Sequence, residues 1–200
     1  MSYAIIGFGK IGHALAKAFA RKGIEVSVAT TRDPESFAAE AAAIGPAIIP
    51  KTLAEAVKAD VIFLAVRFGA HPDVAKALPI WQGKTIVDVT NAYGVPPEEL
   101  GGQPSSKFVA QAFTGAKLVK GFNHLGAAVL DQDPAVHGGK RVVFLTSDDD
   151  GAAEEIGALA EKLGFAPIKL GGLSGGGLLV HARGNSWGQL IFKDLVKFDG

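Results

Sequence analysis

Short apolar runs alternate with stretches of helical period along the first 90 residues. Tyr3–Gly7 reads as a buried strand. From Lys10 to Lys22 the apolar positions Ile11, Leu15, Ala18 and Phe19 share one helical face, and Arg21-Lys22-Gly23 supplies a basic last turn and a glycine stop. Glu25–Ala29 is a second strand, and Asp33-Pro34-Glu35 opens a helix running to about Ile44-Gly45, with Asp33 as its cap. Ala47–Ile49 is a short strand, and Thr52-Leu53-Ala54-Glu55 a capping box. Val61–Val66 and Thr85–Val89 are further apolar strands, with a helix near Pro72–Leu78 between them. Strands and helices alternating at these lengths predict a parallel sheet covered by helices on both faces.

The second half is patterned more loosely. Ser105–Phe113 and Asp149–Leu163 read as helices; Lys117–Phe122, Lys140–Thr146 and Ala166–Leu170 read as strands. Gly171–Gly177 is a loop by composition. Beyond it Trp187, Leu190, Ile191, Leu195 and Phe198 recur at helical spacing, so a C-terminal helix has an apolar stripe to bury, either on its own domain or as a homodimer contact. The expected fold class is α/β, a doubly wound, mostly parallel sheet. Residues 1–170 form the dinucleotide-binding domain, and residues 171–200 are a small elaboration of the same unit.

Composition narrows the chemistry. The chain has 200 residues, twenty basic and twenty acidic, so no net charge draws it to nucleic acid or an anionic membrane. Cysteine is absent, which excludes disulfides, thiolate metal sites and thiol nucleophiles. No apolar run approaches the ~20 residues that span a bilayer. The start shows no basic leader or cleavable apolar segment, and a cytoplasmic protein is expected.

Gly7-Phe8-Gly9-Lys10-Ile11-Gly12 matches G-x-G-x-x-G, follows a strand and opens a helix. Gly7 allows the tight turn, Gly9 leaves room for a pyrophosphate, Gly12 lets the helix approach the sheet, and the helix N-terminus faces the phosphates. An NAD site would carry a carboxylate at the end of the second strand. This chain has Ala29-Thr30-Thr31-Arg32, two hydroxyls and a guanidinium suited to a 2′-phosphate, which points to NADP(H).

After Leu170 only thirty residues remain, too few for a second substrate domain. The second reactant must therefore occupy an open cleft at the strand ends. Its candidate walls are the loops carrying Arg67 and His71, Asn91, and Asn123-His124, together with the segment near His181. Hydride transfer to a flavin-like ring requires mainly stacking and orientation. Reducing a carbonyl or imine would require a proton donor, for which His124 is the first candidate and His181 the second. His13 and His137 are assigned no role.

These residues resemble the coenzyme F420-dependent NADP oxidoreductases and their dinucleotide-binding relatives. The likeness is carried by Gly7–Gly12, Thr30-Thr31-Arg32, Val87-Asp88-Val89-Thr90-Asn91, Val119-Lys120-Gly121-Phe122-Asn123, and Leu170-Gly171-Gly172-Leu173. It implies one Rossmann domain and hydride exchange between NADPH and a deazaflavin stacked on the nicotinamide. It places the pyrophosphate on Phe8, Gly9, Lys10 and Ile11, and the 2′-phosphate on Thr30-Thr31 or Thr31-Arg32. A family lysine a few positions on is absent, Glu35 or Ser36 standing there. Where relatives often carry Pro after the fourth strand this chain has Arg67, a cation for an anionic acceptor or a cofactor phosphate. Coenzyme F420 or a flavin is the implied second substrate. The other readings are a small NADPH-dependent carbonyl or imine reductase, and a non-catalytic NADP(H)-sensing protein.

Overall fold

The computed structural model describes residues 1–136 and 138–180. The chain runs through β1 (Tyr3–Ile6), α1 (Lys10–Arg21), β2 (Val26–Ala29), α2 (Ala38–Ile44), β3 (Ile48–Pro50), α3 (Leu53–Ala56), β4 (Val61–Leu64), α4 (His71–Ala75) and β5 (Thr85–Asp88). It continues with α5 (Ser105–Ala112), β6 (Lys117–Gly121), α6 (Ala127–Leu130), a hairpin of β7 (Ala135–Val136) and β8 (Gly139–Lys140), β9 (Val142–Thr146), α7 (Asp150–Lys162), β10 (Ala166–Lys169) and α8 (Gly176–Leu179).

Eight strands form one sheet in the order β10-β9-β6-β5-β4-β1-β2-β3. From β3 to β6 every neighbouring pair is parallel. The strand order reverses between β1 and β4, the switch point where ligands bind in doubly wound folds. The last two strands depart from this frame. β9 runs antiparallel to β6, with Gly121 opposite Leu145, and β10 lies parallel to β9. The connection from β6 to β9 runs through the short helix α6 and the β7–β8 hairpin.

The middle of the sheet is buried on both faces: β4, β5 and β9 have no exposed position. On one face Leu15 and Phe19 of α1, Ala41 of α2 and Ile156 of α7 pack with Phe63, Val87 and Phe122. On the other, Ala56 of α3, Val74 of α4 and Val109 of α5 pack with Ile62, Ile86 and Trp81.

Most expected elements are present; the differences have local causes. The helix expected from Asp33 is a 3₁₀ turn, Pro34–Phe37, followed by α2, and the Asp33 side chain makes no capping bond. Phe37 leaves helical geometry there, with φ −127°, and is buried against Phe8. Helix α4 stops at Ala75, short of Leu78, since Pro79 disfavours helical backbone before it. The Thr52–Glu55 capping box forms as expected. The expected C-terminal helix and its dimer stripe, His181 and His137 all lie outside the described residues. No described helix is long and apolar enough to cross a membrane.

Candidate functional site

The turn from β1 into α1 has the backbone that its glycines require. Gly7 has φ +102°, and a Cβ there would overlap the carbonyl of Ala65; a Cβ on Gly12 would overlap the carbonyl of Gly7. Gly9 is different: its backbone is extended, and a Cβ would meet nothing within 4 Å. The first helical bond of α1 runs from His13 N–H to Gly9 O (2.9 Å), so the amides of Lys10, Ile11 and Gly12 have no intrahelical acceptor. Open space above Gly9 and amides at the positive end of a 12-residue helix fit a pyrophosphate.

Two hollows meet at this loop. The larger, about 880 Å³, lies over the switch point. It is lined by Gly9, Lys10 and Ile11, by Ala65–Ala70 with Asp73 after β4, and by Val89–Asn91 with Tyr93–Val95 after β5. Gly9, Lys10, Ile11, Arg67 and Asn91 thus come together in one cleft, as expected. Tyr93 is 71% exposed and stands free on its wall. The carboxylate of Asp73 is paired with Lys76 at 2.7 Å, whereas Arg67 makes no ion pair among the described residues. The smaller hollow, about 420 Å³, is bounded by Phe8, Gly9, Lys10, His13 and Lys17, by Glu40, and by Ala127, Ala128 and Asp131. Thr30, Thr31 and Arg32 follow β2 and line neither. Thr30 Oγ accepts from the Arg32 amide at 2.9 Å, which shapes the turn after β2.

The Asn91 wall is fastened from beneath. Asn91 Nδ2 donates to Asn123 O (2.8 Å), and Asn123 Nδ2 donates to Asn91 Oδ1 (3.1 Å) and Val180 O (2.9 Å). Phe122, with φ 61°, turns the chain at the end of β6 so that Asn123 meets Asn91. Three residues earlier on each strand, Lys120 Nζ lies 3.0 Å from Asp88 Oδ2 and donates to Thr90 O, while Asp88 Oδ1 accepts from the Thr90 amide at 2.9 Å. Both charged side chains are buried. Burial pushes the Lys120 pKa below the ordinary lysine value, against the opposing pull of Asp88. Sequence reasoning passed over this pair. Its signal was a charge near the end of each of two strands, following Ile86-Val87 in one and Leu118-Val119 in the other.

Two candidates prove to face elsewhere. His71 is 6% exposed, its Nδ1 lies 2.5 Å from Phe68 O, and it does not line the cleft; it holds the loop from below instead of contacting a cofactor. His124 also lines neither hollow. Its ring stands edge-on to Phe144, its Nε2 lies 3.3 Å from Val142 O, and its Nδ1 has no hydrogen-bond partner among the described residues. Burial lowers its pKa to about 4, so at neutral pH it is the neutral imidazole and not the imidazolium that a general acid would use. The direction of β9 explains the placement: running antiparallel to β6, it brings Val142 to the end of β6, and His124 turns onto it.

Residues 2–92 match the family model for "NADP oxidoreductase coenzyme F420-dependent". A candidate F420-dependent NADP reductase from Arthrobacter sp. FB24 superposes with a TM-score of 0.68 at 27% identity, over 86% of each chain. The segment carrying the glycine loop, just under half of the chain, is thus similar to a family of NADP-dependent oxidoreductases. A hypothetical protein from Sinorhizobium meliloti is similar over nearly its whole length: TM-score 0.90, 36% identity, 99% of this chain and 96% of that one. Mouse metalloreductase STEAP2 is 28% identical over 178 residues, 87% of this chain. The chain spans about a third of the length of that curated relative, 34%.

Proposed function

We propose that the protein transfers a hydride between NADPH and a planar redox ring, a deazaflavin or a flavin-like acceptor, in the cleft over the β1–β4 switch point. The observation that carries this is the make-up of the cleft. Beside the glycine loop its walls include Val66, Phe68, Val89 and Val95, with the exposed ring of Tyr93, and no histidine stands among its described lining residues. Such a wall orients flat rings. Its volume of about 880 Å³ is at the upper end of small-molecule pockets, room for more than one ring.

NADPH, when bound, supplies the hydride. The chain's own residues bind and orient. The free amides of Lys10 and Ile11 and the gap at Gly9 receive the pyrophosphate, with the Lys10 ammonium beside them. Asn91, held by Asn123, offers a fixed amide at the nicotinamide end. Arg67 presents a guanidinium to an anionic group on acceptor or cofactor. Arg32 takes the 2′-phosphate, a charge-assisted contact of about 1.5–3 kcal/mol, on the order of 10-fold or more in affinity.

The direct test is an acceptor screen with NADPH oxidation monitored. It covers deazaflavin, FMN, FAD, quinones, simple carbonyls and imines, and a ferric chelate, the last because STEAP2 is named a metalloreductase. Turnover with one or more of the ring compounds and none with simple carbonyls or imines is expected. Turnover of carbonyls or imines alone would refute the ring-acceptor reading. In the same protein Arg32→Ala should remove most of the preference for NADPH over NADH in binding; an unchanged preference would sink the phosphate assignment.

A further inference from the structure

The guanidinium assigned to the 2′-phosphate already has a partner. Arg32 Nη2 lies 3.3 Å from Glu40 Oε2, and its Cζ sits 5.4 Å from the centre of the Phe37 ring. The other carboxylate oxygen of Glu40 lies 3.3 Å from His13 Nε2. The His13 ring in turn stacks on Phe8, centroids 4.0 Å apart, in the glycine loop itself. A chain of contacts therefore joins the exit of β2, α2, α1 and the glycine loop, with one carboxylate at its centre. Every polar member is partly open to solvent: 50% for the Arg32 side chain, 44% for Glu40 and 28% for His13.

We infer that Glu40 is a specificity-determining residue that competes with the cofactor's 2′-phosphate for Arg32 and so holds the NADPH preference below what Arg32 alone would give. This rests on the reading that Arg32 receives that phosphate. Two effects of Glu40 oppose each other. By holding Arg32 against Phe37 it spares the guanidinium some ordering on binding. By placing a negative charge 3.3 Å from the guanidinium it must either surrender Arg32 or face a phosphate close to dianionic across a few ångströms. The first effect is small, because an exposed pair holds its side chains weakly. The second is larger, since it sets one negative charge against nearly two at short range. Competition wins, so neutralising Glu40 should tighten NADPH. NADH, with no phosphate to repel, gains nothing, and its ribose hydroxyls lose an acceptor of the kind that NAD sites use.

The test is a binding cycle on the full chain. Dissociation constants for NADPH and NADH are read by nucleotide fluorescence, and those for 2′,5′-ADP and AMP by calorimetry, in the parent, Glu40→Gln, Arg32→Ala and the double variant. Glu40→Gln should tighten NADPH and 2′,5′-ADP by about 3- to 10-fold and leave NADH and AMP unchanged or weaker. The gain should shrink in the Arg32→Ala background, where nothing remains to compete for. Glu40→Lys should tighten NADPH further, and keeps the test decisive if glutamine supports α2 poorly. Unchanged or weaker NADPH binding in both Glu40 variants, with Arg32→Ala still lowering the NADPH preference, would overturn the competition and leave the phosphate site standing. No effect of Arg32→Ala would remove the phosphate site and this proposal with it.

Discussion

Lys120→Met removes an ammonium and keeps the length and most of the volume of the side chain. What it leaves behind decides its cost. Asp88 is 0% exposed, so its carboxylate would stay buried with only the Thr90 amide as a partner. Stranding one member of a buried pair costs about 3–5 kcal/mol, a large share of a stability of about 5–15 kcal/mol. The Thr90 carbonyl loses its donor as well, so the turn carrying Asn91 loses one of its fastenings. The reasoning also predicts a rescue. Lys120→Met with Asp88→Asn takes out both charges, while an amide oxygen can still accept from the Thr90 amide, so most of the loss should return. Urea unfolding followed by circular dichroism reads all three proteins, provided the slope with denaturant is unchanged. A loss below about 1 kcal/mol in Lys120→Met would refute the buried-pair reasoning. So would a double variant no more stable than the single one, since the penalty would then not lie in the stranded carboxylate.

Other outcomes follow from single positions. Gly9→Val should keep its melting temperature and lose NADPH binding by two orders of magnitude or more (order-of-magnitude figure), because its backbone is extended and the added branches enter space a phosphate would use. Gly12→Val should instead fail by unfolding, and a stable Gly12→Val protein would show that α1 does not need its close approach to β1. For His124, the folded pKa of about 4 lies below the unfolded 6.5, so between those values the unfolded chain binds more protons. Stability should therefore fall by up to about 3 kcal/mol as pH drops from 6.5 to 4, and His124→Phe should flatten that part of the curve. His124→Asn should leave the shape of the activity profile near neutrality unchanged; loss of a titration there would return His124 to the chemistry.

The elements most legible in the sequence were those whose residues answer to the backbone alone. Gly7 and Gly12 stand where a side chain has no room, so their identity is the constraint itself. The strand β4 was readable because burial on both faces demands an unbroken apolar run. The Thr52–Glu55 box was readable because both of its hydrogen bonds are local. Strand direction is not local. Nothing in Val142–Thr146 tells whether the strand runs with β6 or against it; the intervening hairpin decides that, and its residues carry no alternating pattern.

The same distinction explains which of the candidate site residues share the cleft. A position just after a parallel strand tells which end of the sheet a side chain occupies, and Arg67, Asn91 and His124 were all read that way. It does not tell which way the side chain turns once the strand ends. Arg67 and Asn91 turn into the cleft, whereas His124 turns onto a strand whose direction could not be read. His71 went astray for a related reason: as the first residue of α4 it packs toward the helix's own loop and bonds Phe68 O. The buried pair beneath the cleft shows where the missing information lay. Asp88 and Lys120 are meaningless apart and become a pair only through the β5–β6 register, Asp88 opposite Lys120. A charge ending an apolar strand has to be answered by its neighbour, because neither could be buried alone. Two such strand ends adjacent in a parallel order are therefore a readable prediction of contact, and here that contact holds the cleft's Asn91 wall.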